Sequence, residues 1–119
     1  MRQIGIEQYI AAPPSQVWPV VADHEGITRW MPVREVVRRR SGSAEPNGVG
    51  AICTIRGMGF VVEERVTCWK PGERLEYVLT EGAPLRDHLG EMVLEPAEGG
   101  TLVGWYVRFR PLILSLIHI

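Results

Sequence analysis

Hydrophobic and polar residues alternate with a period of two through most of this chain. Ile4, Ile6, Gln8 and Ile10 fall against Gln3, Gly5, Glu7 and Tyr9, which predicts a first strand over residues 3–10. Six further stretches, 33–40, 50–56, 60–69, 74–80, 86–95 and 101–110, also read as strands, the first of them from its β-branched and charged residues. They are separated by short segments rich in Ser, Gly, Pro and Asn, the residues of hairpin turns. In one of these, Gly57-Met58-Gly59, either glycine can take positive φ. Consecutive strands joined by short turns predict an antiparallel meander, and such a sheet has one buried face. Parity assigns the face. Leu75, Tyr77 and Leu79 oppose Arg74, Glu76, Val78 and Thr80, while Val103, Trp105, Val107 and Phe109 oppose Tyr106, Arg108 and Arg110. In the fourth strand Val62, Val66 and Cys68 share a side and bring Glu64 with them; in the sixth, Met92 and Leu94 bring His88 and Gly90. A bent sheet lined by large apolar side chains, with a glycine where a neighbour can approach closely, can enclose a cavity.

The exception to the period of two is Ile10 to Pro32, around which the other elements must pack. Pro13 and Pro14 end the first strand, because proline cannot donate to a ladder. Ser15 is the expected N-cap of a helix whose Val17, Trp18, Val20 and Val21 gather on one side. Pro19 keeps that helix short or irregular. Asp23 is expected to cap a second short turn running through Ile27 to Trp30, interrupted by Gly26 and closed by Pro32.

At 119 residues the chain supports one domain and one core. The net charge of -1 and 23% charged residues are those of an ordinary globular protein and point to no nucleic-acid partner. Arg38-Arg39-Arg40, next to Ser41-Gly42-Ser43, reads as a solvated strand end before it reads as a phosphate patch. Cys53 and Cys68 form neither a disulfide framework nor a metal-ligand spacing, so two reduced thiols are expected and no metal. The N-terminus shows no export signal and no stretch approaches the ~20 apolar residues of a membrane span, so a cytoplasmic location is expected.

The order strand, helical pair, six strands carries a set of residues that resembles the START-like, or SRPBCC, superfamily, and within it the polyketide cyclase/dehydrase and lipid-transport type. The matching residues are Ala12-Pro13-Pro14 with Val17-Trp18, Asp23 with Trp30, Gly48-Val49-Gly50, and Glu64-Arg65-Val66 with Pro71 and Tyr77. They continue with Arg86 through Gly90, Leu94-Glu95-Pro96, Gly100-Thr101, Trp105, and Phe109 to Pro111. The resemblance implies an α+β helix-grip fold, a curved antiparallel sheet with two short helices after the first strand, wrapping a long C-terminal helix with a cavity between. After Pro111 this chain has only eight residues, too few for that helix. Residues 114–119 are also what CTG-TCT-CTT-ATA-CAC-ATC, a sequencing-adapter sequence, would encode. The expectation is a single START-like domain over residues 1–113, lacking its last helix by truncation, with a non-native tail at 114–119.

No catalytic motif stands out: there is no Gly-x-Ser-x-Gly, His-Glu-x-x-His or phosphate loop. The catalytic candidates are single residues. His88 either points into the cavity as an acid, base or hydrogen-bond donor, or bonds to the neighbouring strand. Glu64 is either an inward carboxyl with its pKa raised by desolvation, or is turned out by a bulge or paired with an arginine such as Arg56. Trp30, Tyr77, His88, Met92, Trp105, Val107 and Phe109 are the candidate ligand-binding residues, although inward aromatics also serve simply as core. Asp23 and His24 are read as decorating the helical pair, and His118 gets no role. The favoured function is a pocket for a small hydrophobic molecule, such as a lipid, a polyketide-like aromatic or another cyclic metabolite, needing no cofactor. The alternatives are a cyclase or dehydratase in which the inward polar groups move protons, and a domain regulating a partner protein. As written, the chain is expected to expose an apolar patch and to aggregate or fold only in part; with its natural sequence restored after about Ile113, a monomer or a homodimer is expected.

Overall fold

The computed structural model describes residues 2–82 and 85–111. The expected tail at 114–119, and the place where a C-terminal helix would begin, lie outside them. The described elements are β1 (Arg2–Ile10), α1 (Pro14–Val21), a 3-10 helix (Glu25–Arg29), β2 (Glu35–Arg40), β3 (Ile52–Gly57), β4 (Phe60–Lys70), β5 (Arg74–Glu81), β6 (Leu85–Ala97) and β7 (Gly100–Pro111). The seven strands form one antiparallel sheet in the order β1-β7-β6-β5-β4-β3-β2. The meander from β2 to β7 places each strand beside its sequence neighbour, and β1 returns to pair with β7 from Arg2↔Phe109 to Ile10↔Thr101. In the turn between β3 and β4 it is Gly59 that takes positive φ, at 83°.

The two helical elements differ from the expected capping. α1 starts at Pro14, with Pro13 as the extended flanking residue and no side-chain cap, so Ser15 lies inside the first turn. Proline suits that start, since the first helical N–H has no intrahelical acceptor to lose. Pro19 sits within the helix, which runs only eight residues. Val17, Trp18 and Ala22 are buried, whereas Val20 faces away from them and is 56% exposed. His24, not Asp23, precedes the 3-10 helix, and again no side chain caps it. Gly26 lies within that helix, where a Cβ would collide with the Asp23 carboxylate.

One face of the sheet carries the core in two patches. In the larger, Val17, Trp18 and Ala22 of the α1 segment pack on Leu75, Tyr77, Met92 and Leu94, with Trp69 and Trp105 at the margin. In the smaller, Val36, Cys53 and Ile55 meet Ile27 of the 3-10 helix, Val33 and Val62. The buried Thr101 hydroxyl donates to the Ala12 carbonyl at 2.7 Å, which ties β7 to the link between β1 and α1. The opposite face is polar: Arg74 bonds Glu76 at 2.9 Å and also Glu91, and Arg108 reaches Glu91 at 3.5 Å.

Register shifts occur at Arg38/Arg40 in β2, at Glu63/Glu64 and Val66/Cys68 in β4 and at Arg86/Leu89 in β6, and the last two shape the site. In β4 a register shift between Val66 and Cys68 sets Cys68 opposite Glu76 and Trp69 opposite Leu75. The expected grouping of Cys68 with Val66 therefore fails, because one extra residue in the strand exchanges the two faces. Trp69 takes the inward place and meets Trp18 edge-on at 5.0 Å. In β6 the register with β7 shifts between Arg86 and Leu89, and Asp87 there has φ 51°. β5 pairs with β6 from Arg74↔Val93 to Tyr77↔Gly90. Beyond Tyr77 the described part of β5 keeps its pairs with β4, while β6 before Gly90 keeps those with β7, so the sheet divides along a seam.

Candidate functional site

The site forms where this seam begins, under the helical pair. Tyr77 on β5 lies opposite Gly90 on β6, and a Cβ at Gly90 would run into the Tyr77 ring. The ring therefore lies across β6 in the space a glycine leaves. Its hydroxyl accepts a hydrogen bond from Trp105 Nε1 of β7 at 2.8 Å. Trp30, just after the 3-10 helix, meets Trp105 edge-on at 6.1 Å. The three aromatics are thus linked from helical segment to sheet, each held by a neighbour on another element.

Two spaces adjoin them. A groove of about 360 Å³ runs along the sheet margin between β1, β7 and α1, walled by Ile6, Ile10, Val20, Val103, Met92 and Trp105, with Gln8 and Trp30 at its edge. Deeper lies a cavity of about 40 Å³ where His24, Glu64 and Tyr77 meet Ile27, Met31 and Leu75. Val21, Trp30, Met92 and Trp105 line both. The groove is of the size that holds a small ligand and its walls are mainly apolar; the cavity has room for about one polar atom.

The polar groups of the inner cavity are all shifted by burial. Glu64 is half-buried, and desolvation pushes its carboxyl up to about 7. Arg56 does not pair with it, being engaged with Glu35 at 3.4 Å. Tyr77 is pushed up from its ordinary value, first by burial and then by the Glu64 charge, while the Trp105 bond acts in the opposite direction. His24 is 6% exposed, and neither ring nitrogen has a hydrogen-bond partner among the described residues. Burial, followed by the Arg38 charge, lowers its pKa to about 4, against a smaller opposing effect of Asp23, so near neutral pH the ring is uncharged. Arg38 itself bonds Glu25 at 2.9 Å and the Asn47 side chain.

The sequence-derived candidates separate on this map. Trp30, Met92 and Trp105 border both spaces, while Tyr77 and Glu64 line the inner one. His88 is buried on the same face, its ring 5.6 Å from that of Tyr77, but it is not among the residues lining either space. Burial lowers its pKa, and its Nδ1 lacks a partner among the described residues. Val107 and Phe109 extend the Trp105 row along β7, past the groove, where they pair with Ile4 and Arg2. His24 corrects the sequence reading, which had it cap and decorate the helical pair: it makes no capping bond, is a wall of the inner cavity and meets Trp69 edge-on at 6.1 Å. The available signal was its position between two helical turns over the sheet, where a side chain pointing down is covered from above. Among the described residues no helix is long and apolar enough to cross a membrane, and no cluster of three potential metal ligands occurs.

The family model described as polyketide cyclase/dehydrase and lipid transport matches residues 1–116. Among solved structures, a protein from Thermobifida fusca is 26% identical with a TM-score of 0.77, covering 98% of this chain and 83% of its own. A protein from Nitrosospira multiformis is 17% identical with a TM-score of 0.77, covering 98% and 86%. XoxI from Bacillus cereus is 17% identical with a TM-score of 0.74, covering 100% and 87%. The latter two likenesses show the fold alone. No curated protein matches the sequence.

Proposed function

The chain belongs to the polyketide cyclase/dehydrase and lipid transport family, and from that membership we propose that it binds a small hydrophobic molecule in the groove between β1, β7 and α1. The observation that carries this reading is an apolar groove of about 360 Å³ that shares Val21, Trp30, Met92 and Trp105 with a smaller inner cavity holding His24, Glu64 and Tyr77. Apolar walls supply affinity in proportion to the area they remove from water, and the few polar groups at the inner end set orientation. A lipid, a polyketide-like aromatic or another cyclic metabolite has that form.

Trp30 and Trp105 report occupancy, because both border the groove. Titrating a panel of aromatic and fatty ligands should change tryptophan emission, and Trp105→Ala should weaken binding about tenfold or more. Arg108→Ala, on the opposite face, should leave it within about twofold. A panel of broad chemistry that produces no emission change and no heat of binding would remove the reading in favour of a domain that regulates a protein partner.

A second reading, a cyclase or dehydratase, is supported by one observation: Glu64, shifted to about 7, lines the same inner cavity as Tyr77 beside the apolar groove. A carboxyl near neutrality can give and take a proton at working pH, and the groove would hold a reactive chain folded against it. Glu64→Gln should then abolish turnover while keeping ligand affinity. Equal loss of both would place Glu64 in binding only.

A further inference from the structure

The inner cavity narrows the chemistry of the ligand. We propose that its inner end is an uncharged hydrogen-bonding pole, made by His24, Glu64 and Tyr77, which selects an apolar ring body bearing a neutral oxygen and rejects a carboxylate. The proposal rests on the binding reading above and adds the class of ligand.

Three features of the structure carry it. His24 is buried with both ring nitrogens unpartnered among the described residues, so a neutral imidazole offers one donor and one acceptor that the fold does not use. An unmet buried polar group is costly, and an oxygen that enters the cavity and displaces the atoms now covering the ring nitrogens would meet it. Tyr77 accepts from Trp105 Nε1, which leaves its own O–H free to donate. Among the described residues, the cavity lining contains no lysine or arginine, and its one acid is Glu64. A carboxylate entering there would find no cation and would face a second carboxyl, whereas a carbonyl or hydroxyl would find donors. The volume of about 40 Å³ admits one such oxygen but not the rest of the molecule, which stays in the groove.

The surrounding charges agree with this assignment. Asp23 from the helical link and Arg38 from β2 act on His24 from outside the cavity lining, and the Cys53 thiol of β3 feels the Glu64 charge. Arg38 bonds Glu25, so its charge is already matched. Burial holds Glu64 protonated below about 7, which makes it a donor there and an anion above.

Calorimetric titration of the whole chain with naphthalene, naphthol, acetylnaphthalene and naphthoate tests the pole. Near pH 6, naphthol and acetylnaphthalene should bind about three- to tenfold more tightly than naphthalene, the range expected of one net hydrogen bond, and naphthoate should bind most weakly. His24→Leu should shrink the gap between naphthalene and the two oxygen-bearing ligands. Glu64→Gln retains a donor, so it should preserve acetylnaphthalene binding at about pH 8, where the wild type loses it. Melting curves accompany both variants, and the wild-type series stands without them. Equal affinity for naphthalene and acetylnaphthalene, or preference for naphthoate, overturns the pole while leaving the groove as a binding site. No binding by any of the four, naphthalene included, overturns the binding reading and the pole with it.

Discussion

His24 and Glu64 couple the stability of the fold to pH in opposite directions. His24 titrates near 4 in the folded protein against an ordinary 6.5, so its contribution is complete above 6.5 and is lost as pH falls through 4. Glu64 titrates near 7 against an ordinary 4.5, so its contribution is complete below 4.5 and is lost as pH rises through 7. Between about 4.5 and 6.5 the two slopes oppose and the wild type should vary little. Glu64→Gln should expose the histidine slope, with unfolding free energy rising by about 3 kcal/mol from pH 4 to 6.5. His24→Leu should expose the opposite slope, a fall from pH 4.5 to 7. Denaturant titrations across this range decide it, and parallel profiles for all three proteins would place both groups in water. At Gly90 the Tyr77 ring fills the position of a side chain, so Gly90→Ala should destabilise the fold by about 1–3 kcal/mol in the same assay. No change there would mean that the ring has another resting place.

At the level of the strands, much was legible from alternation alone. The seven strands, the meander, and the inward placement of Tyr77, Met92 and Trp105 follow from period-two patterning and turn residues. What alternation could not carry is a change of phase inside a strand. The shift after Val66 leaves no mark in composition, because Cys68 and Trp69 are both acceptable in a core, and the exchange is decided by packing against Trp18. His24 was missed for a related reason: its burial comes from two helical turns meeting the sheet, a contact between distant residues. Trp69→Ala should therefore cost about 3 kcal/mol or more and Cys68→Ala about 1 or less, by chemical denaturation. Equal costs would return Cys68 to the core. Burial, with help from Glu64, pushes the Cys53 thiol up to about 11, so iodoacetamide near pH 8 should label Cys68 well before Cys53. Peptide mapping of the labelled protein reads the order, and equal labelling would show that β3 is open to solvent.

Over the whole molecule, the apolar face continues past the helical pair. Ile4 and Ile6 are 60% and 61% exposed, and they pair with Val107 and Trp105 on the same side of the sheet. An exposed row of this kind takes up a hydrophobic probe. Nile red should gain emission on the native protein, and Ile4→Thr with Ile6→Thr should reduce that gain while the melting transition stays cooperative. An unchanged gain would locate the dye elsewhere. The seam between β5 and β6 has a consequence on the timescale of exchange. Val78 to Glu81 and Leu85 to Leu89 are strand residues, yet each stretch is laddered on one side only. Alternate amides along both stretches point across the gap and should trade hydrogen for deuterium as fast as loop amides. Those of Arg74 to Tyr77, laddered on both sides, should trade at the pace of global unfolding. Tyr77 and Gly90 thus mark the boundary between the part of the sheet that opens only with the whole and the part that breathes alone.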